Sequence, residues 1–184
     1  MALEKTFREL TRQLRMLVDR LDELRVTVVQ DRPTHNDAAL VDDLEYAVED
    51  MLGWLKEALE NSGKAERSVG HPADLELARQ SLSCCQELFH RVDQAFSGNL
   101  ASYERLRDLA RCAGERRGEW PAWASSVKQG IEQCPLPLEQ SRRTLGECWQ
   151  ELAEKAGTTS ISVRTTNIGQ KIARLVEPES GGVA

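Results

Sequence analysis

The chain has 184 residues, of which 40% are hydrophobic and 29% charged, so it is long enough and apolar enough to fold as one globular domain. Its formal net charge of −6 disfavours general nucleic-acid binding, because phosphate recognition needs a surplus of positive charge. Aromatic residues make up only 5%, so the core must be mostly aliphatic, which is typical of helix bundles.

Targeting and redox signals are weak in this sequence. Residues 1–5 contain no apolar core of a signal peptide, and apolar runs such as residues 16–18 are far too short to span a bilayer. The five cysteines form an odd set without a C-x-x-C pair, which indicates neither a disulfide framework nor a zinc site. Three of them fall on apolar stripes, where we expect buried thiols: Cys85, Cys134 and Cys148. We therefore predict a cytoplasmic protein.

The first predicted helix spans residues 2–30 and has the clearest pattern in the chain. Its apolar residues lie alternately four and three positions apart without a gap, which is the a/d seam of a long amphipathic helix. The seam consists of Leu3, Phe7, Leu10, Leu14, Leu17, Leu21, Leu24 and Val28. Glu4 and Arg8 are four apart and are expected to pair. We expect the remaining helices to pack against this one.

The second predicted helix, residues 37–61, has two adjacent apolar seams, which predicts contact with more than one neighbour. The seams are Leu40, Leu44, Ala47, Met51, Trp54 and Ala58, and Val41, Val48, Leu52, Leu55 and Leu59. This helix has eight acidic residues and a single base, Lys56. Its acidic side is a weak candidate for docking a basic partner, with a solvated helix face as the default reading. The candidate residues are Asp42, Asp43, Glu49 and Asp50.

Gly63 is the predicted stop for this helix, followed by a polar loop over residues 63–71. Pro72 suits the first turn of a third helix. That helix has one strict seam, composed of Leu75, Ala78, Leu82, Cys85, Phe89, Val92 and Phe96.

Three shorter helices are predicted beyond residue 99. Their apolar stripes cover residues 100–113, 120–134 and 138–156, and the prolines at 135 and 137 separate the last two. Trp120 and Trp123 could stack on a ligand, but at helical spacing with Val127 they are more often core residues. The predicted fold is an all-α antiparallel helical bundle, residues 1–157, with three long and three shorter helices and a non-helical C-terminal tail, residues 158–184.

Catalytic and metal-binding motifs are incomplete or absent in this sequence. Glu87 and His90 form half of the pattern that a di-iron helix bundle uses, but no second Glu-x-x-His occurs and both residues are expected to face solvent. The sequence has no phosphate-binding glycine loop, nucleophile elbow or H-E-x-x-H helix. We predict no enzymatic activity, no metal site and no cofactor.

The tail differs in character from the bundle. Six of the nine residues from Thr158 to Thr166 are β-branched, and a lone strand needs the edge of another sheet to satisfy its backbone. We hypothesise that the tail docks on a partner protein by strand addition. The candidate contact residues are Ile161 and Val163, followed by Ile168, Ile172 and Leu175 in a short helical turn.

Three functions from different classes remain open. The leading prediction is a non-enzymatic scaffold or adaptor that binds another protein through its helix faces, its tail, or both. The first alternative is a regulated helical effector that disturbs membranes, without stable insertion, and the second is a metal-binding or enzymatic bundle. Self-association as a homodimer is a further expectation, because one domain of this size was not expected to cover both seams of the second helix and the long seam of the first.

Overall fold

The computed structural model describes residues 2–30, 38–98 and 120–156. These ranges contain α1 (Ala2–Gln30), α2 (Ala38–Ser68), α3 (Leu75–Gly98), α4 (Trp120–Glu132) and α5 (Pro135–Lys155), with one 3-10 turn at Pro72–Asp74. No strand occurs within them, and the predicted all-α bundle is confirmed. The predicted helix over residues 100–113 and the tail over residues 158–184 lie outside the described residues.

The first helix organises the bundle as predicted. Every residue of its eight-member seam is buried, and α1 contacts α2, α4 and α5. One predicted ion pair is wrong, because Arg8 pairs with Glu66 of α2 (Nε to Oε1, 3.5 Å) rather than with Glu4. The charged edge of α1 therefore contributes to the α1–α2 packing.

The second helix continues past its predicted stop at Gly63 and ends at Ser68. A glycine inside a helix costs about 1 kcal/mol of stability relative to alanine. Here the burial of apolar residues after Gly63 outweighs that cost. Ala65 and Val69 are fully buried, and the buried Ser62 hydroxyl lies 2.8 Å from the hydroxyl of Thr11 on α1. The predicted polar loop is thereby reduced to a turn over residues 69–71, followed by the 3-10 turn that Pro72 begins.

Helix α2 packs against α1 on one side and α3 on the other, and residues of both its apolar seams are buried there, while Ala47, Trp54 and Leu59 are half-buried. Val48, Leu55 and Ala58 are almost completely inaccessible to solvent. Self-association stays a prediction. The exposed large apolar residues are scattered: Met16, Val29, Tyr46, Leu77 and Leu136.

Helices α4 and α5 run in succession antiparallel to α1. Trp123 donates its indole N–H to the carbonyl oxygen of Thr27 (3.1 Å), near the end of α1, whereas Thr6, near its beginning, bonds to Glu151 (2.9 Å). Trp123 is only 9% exposed, which confirms it as a core residue. The break between the two helices falls at residues 133–134, and Pro135 occupies the first position of α5, where a missing N–H does no harm.

Candidate docking surface

The side of α2 that faces away from α1 and α3 is a continuous exposed stripe. Residues spaced three and four apart opposite the two buried seams share this side of the helix. We call its part from residue 43 to residue 60 the α2 outer face, and the exposed members of this part are Asp43, Tyr46, Glu49, Asp50, Gly53, Lys56, Glu57 and Glu60. The same stripe continues beyond it into two exposed bases, Lys64 and Arg67. Five of these eight residues are acidic and one is basic, so the face is locally far more negative than the chain as a whole.

Most of this negative charge is not neutralised. Within residues 2–30, 38–98 and 120–156, only Glu60 of the five acids forms an ion pair, with Lys64 (Oε1 to Nζ, 2.9 Å). The hydrogen bond from Lys64, with the nearby positive charges, lowers the pKa of Glu60 below its ordinary value. The remaining four carboxylates, Asp43, Glu49, Asp50 and Glu57, have no basic partner in the described part of the chain.

The part of α2 before Glu60 differs from the other helices in its ion pairs. Each of those helices carries at least one exposed ion pair between residues three or four apart. These pairs are Glu9–Arg12 and Asp22–Arg25 on α1, Glu76–Arg79 and Glu87–Arg91 on α3, Lys128–Glu132 on α4, and Glu139–Arg142 on α5. The outer face of α2 before Glu60 lacks such local neutralisation, because Lys56 is the only base on it.

An aromatic side chain lies among these carboxylates. Tyr46 is 66% exposed, the second-largest exposed fraction among the exposed apolar and aromatic side chains of the described residues. Gly53, two turns further along the face, leaves an opening: a Cβ built there would meet nothing within 4 Å. Tyrosine offers a large contact area, a π face for cations and a hydroxyl, which is why it is enriched at protein interfaces. The face can therefore bind a basic, partly apolar segment.

Three of the four acidic residues that the sequence predicted for docking lie on this face. Asp43, Glu49 and Asp50 are exposed and share the α2 outer face, while Asp42 is half-buried. Tyr46 was not predicted as a site residue, although its position outside both apolar seams indicates that it is exposed. The five tail candidates, from Ile161 to Leu175, lie outside the described residues.

A second polar feature joins α3 to α5. Asp93 is only 5% exposed, and its carboxylate pairs with the guanidinium of Arg142, which also pairs with Glu139. The Nε of Arg142 and the hydroxyl of the fully buried Ser141 have no hydrogen-bond partner among the described residues. Because α3 and α5 meet over only a short segment, this pair is an anchor between them rather than an exposed site.

The buried thiols are not nucleophiles at neutral pH. Burial raises the pKa of Cys85 to about 12 and that of Cys134 to about 11, and burial likewise raises the pKa of Cys148. A thiol with so high a pKa contains almost no thiolate near pH 7. Their predicted role as small core residues is confirmed, and Cys84 is the exposed thiol within the described ranges.

Glu87 and His90, which form half of a di-iron pattern, differ in their exposure to solvent. Glu87 is exposed as predicted and pairs with Arg91 (2.8 Å), whereas His90 is half-buried, contrary to the prediction that both face solvent. In the described ranges, no three His, Cys, Asp or Glu residues are grouped so that they could hold a metal ion. Nor does any helix there combine the length and apolar character needed to cross a membrane.

Comparison with protein-family models, curated proteins and solved structures finds no match to this chain.

Proposed function

We propose that this protein is a non-enzymatic adaptor of the cytoplasm that docks a basic segment of a partner protein on the α2 outer face. The observation that carries the proposal is the group around the exposed Tyr46 formed by Asp43, Glu49, Asp50 and Glu57, which have no basic partner among the described residues. Unpaired charges of one sign on a firmly packed helix attract a segment of opposite sign and orient it before contact. An exposed tyrosine then supplies the short-range contact that charges alone do not give.

The spacing of the acids suits a helical or extended partner segment. Asp43 and Glu57 are fourteen positions apart, which on an α-helix is roughly 21 Å. A partner helix with Lys or Arg at every third or fourth position would present its charges at similar intervals along one face. Because α2 is buried against α1 and α3 on its other sides, the face needs little rearrangement on binding.

The C-terminal tail is the second docking element of the proposal. Ile161 and Val163 alternate with polar residues, as a strand added to the edge of a partner's sheet would require. Ile168, Ile172 and Leu175 return to helical spacing and would extend the same contact. An adaptor with one docking element on its bundle and one on its tail could hold two partners together.

The test of the α2 outer face is site-specific photo-crosslinking. Benzoylphenylalanine replaces Tyr46 in the full chain, and in a matched control it replaces Leu77, which is 52% exposed on α3. We expect position 46, but not position 77, to form defined adducts in extracts of the native cell, joined through Lys- or Arg-rich segments.

Charge reversal makes this test sharper. Glu49→Lys with Asp50→Lys should abolish the adducts from position 46, whereas Glu76→Lys with Glu87→Lys on α3 should leave them unchanged. Equal adducts from positions 46 and 77, or adducts from position 46 that survive the reversal on α2, would contradict the proposal.

A further inference from the structure

The end of α5 lies beside the end of α2. Lys155, the last residue of α5, donates a hydrogen bond from Nζ to the carbonyl oxygen of Val69, directly after α2 (2.7 Å). The chain that follows Ala156 therefore begins next to the C-terminal end of the helix that carries the acidic outer face.

The first part of the chain beyond this point is basic, before Glu177 and Glu179 follow. Residues 158–176 contain three bases, Arg164, Lys171 and Arg174, and no acid. The α2 outer face contains four carboxylates without a basic partner in the described residues. Residues 158–176 and the α2 outer face thus carry opposite charges, and the tail begins near the C-terminal end of α2.

The distances also agree. Ser68 to Glu57 is eleven positions of helix, or roughly 17 Å, and Ser68 to Asp43 is roughly 38 Å. An extended chain covers about 3.3 Å per residue, so Arg164 can reach about 26 Å from Ala156 and Arg174 about 60 Å. The neutral residues 158–163 would pass the basic end of α2, where Lys64 and Arg67 are exposed, before the first tail arginine meets an acid.

We propose that residues 158–176 bind along the α2 outer face of their own chain. Arg164, Lys171 and Arg174 bind the carboxylates from Glu57 back towards Asp43, and Ile168 and Ile172 contact Tyr46 and the half-buried Trp54. While it is bound there, the tail competes with any external basic segment for the face and is not free to add to a partner's sheet. This regulatory consequence rests on the proposed function, but the intramolecular contact does not.

Carbodiimide crosslinking tests the contact directly, because it joins a lysine amine to a carboxylate without a spacer. Lys171 is the only lysine after Lys155, so its crosslinks can be assigned by mass spectrometry. We expect Lys171 to couple to Glu49, Asp50 or Glu57 in the full-length protein. Lys171→Arg, which retains the charge but removes the amine, should eliminate these products.

Reversing the charge of two tail residues shows whether the crosslinks of Lys171 depend on electrostatic attraction or arise from random collisions. Arg164→Glu with Arg174→Glu leaves Lys171 and all the carboxylates in place, yet it should lower the crosslink yield about fivefold or more, as expected for a loss of about 1 kcal/mol. The control, Arg79→Glu with Arg91→Glu on α3, should not change the yield.

Mixing heavy-isotope-labelled and unlabelled chains distinguishes contacts within a chain from contacts between chains. We expect products of single isotopic composition. Mixed products, crosslinks spread over Glu76 and Glu87 of α3, or a yield unaffected by tail reversal would each overturn the inference. Since no partner is present, these outcomes do not depend on the test of the adaptor function.

Discussion

Gly130 of α4 lies directly against Leu24 of α1: a Cβ added to Gly130 would fall 2.8 Å from Cδ1 of Leu24. Leu24 is itself buried, so its side chain has little space to move away. The absence of a side chain at Gly130 therefore lets α4 approach the central helix closely at this point.

Gly130→Ala should consequently destabilise the protein by about 1–3 kcal/mol, the usual cost of overpacking a core. The matched control is Gly146→Ala on α5, where an added Cβ meets nothing within 4 Å. That substitution should stabilise by up to about 1 kcal/mol, because alanine favours the helix. Chemical denaturation of both variants measures the difference, and equal changes would contradict the close contact.

The organising role of α1 predicts a large effect at the middle of its seam. Leu14→Asp buries an unpaired carboxylate and should cost several kcal/mol, enough to unfold a domain of ordinary stability. Met16→Asp, two positions away and 41% exposed, should change the free energy of unfolding by about 0.5 kcal/mol or less. A melting temperature unchanged by Leu14→Asp would show that α1 is not central.

The buried thiols predict a loss of stability at alkaline pH. The pKa of Cys85 rises from 9.0 to about 12 on folding because the thiol is buried. Between these values the unfolded chain loses a proton that the folded chain retains, so stability falls as pH rises, by about 1.4 kcal/mol per pH unit for one thiol. The stability is fully present below pH 9.

Comparing cysteine variants isolates this effect from other groups that titrate at high pH. The dependence of unfolding free energy on pH above 9 should be shallower in Cys85→Ala than in the wild type, whatever the loss of packing at neutral pH. Cys84→Ala removes an exposed thiol whose charge raises the pKa of Cys85 less than burial does, so it should alter the dependence less than Cys85→Ala. Parallel curves for all three proteins would count against burial as the cause.

The helices and the core were largely predictable from the sequence. Apolar residues that recur at helical spacing, as in the seam of α1, share one side of the helix, and that side is the one buried in the bundle. The boundary at Gly63 was not predictable. A local preference of about 1 kcal/mol predicted a stop there, while the burial of Ala65 and Val69, which depends on neighbouring helices, extends the helix.

The candidate surface was only partly predictable. The acidic residues of α2 can be counted in the sequence, but which of them remain exposed and unpaired depends on how α1 and α3 cover the helix. The pair between Asp93 and Arg142, 49 positions apart, had no local signal at all. Such pairs arise from helix packing, which spacing within one helix does not determine.

The most direct measurement of the central claim, that the α2 outer face binds basic segments, is the affinity of a synthetic amphipathic helical peptide with Lys or Arg at every third or fourth position. Two full-length variants have the same net charge. One neutralises the face (Asp43→Asn, Glu49→Gln, Asp50→Asn, Glu57→Gln), and the other neutralises exposed acids elsewhere (Asp19→Asn, Glu23→Gln, Asp74→Asn, Glu147→Gln). We predict affinity about tenfold weaker for the first and unchanged for the second. Equal weakening in both would show that the peptide responds only to net charge, and the α2 outer face would not be a docking surface.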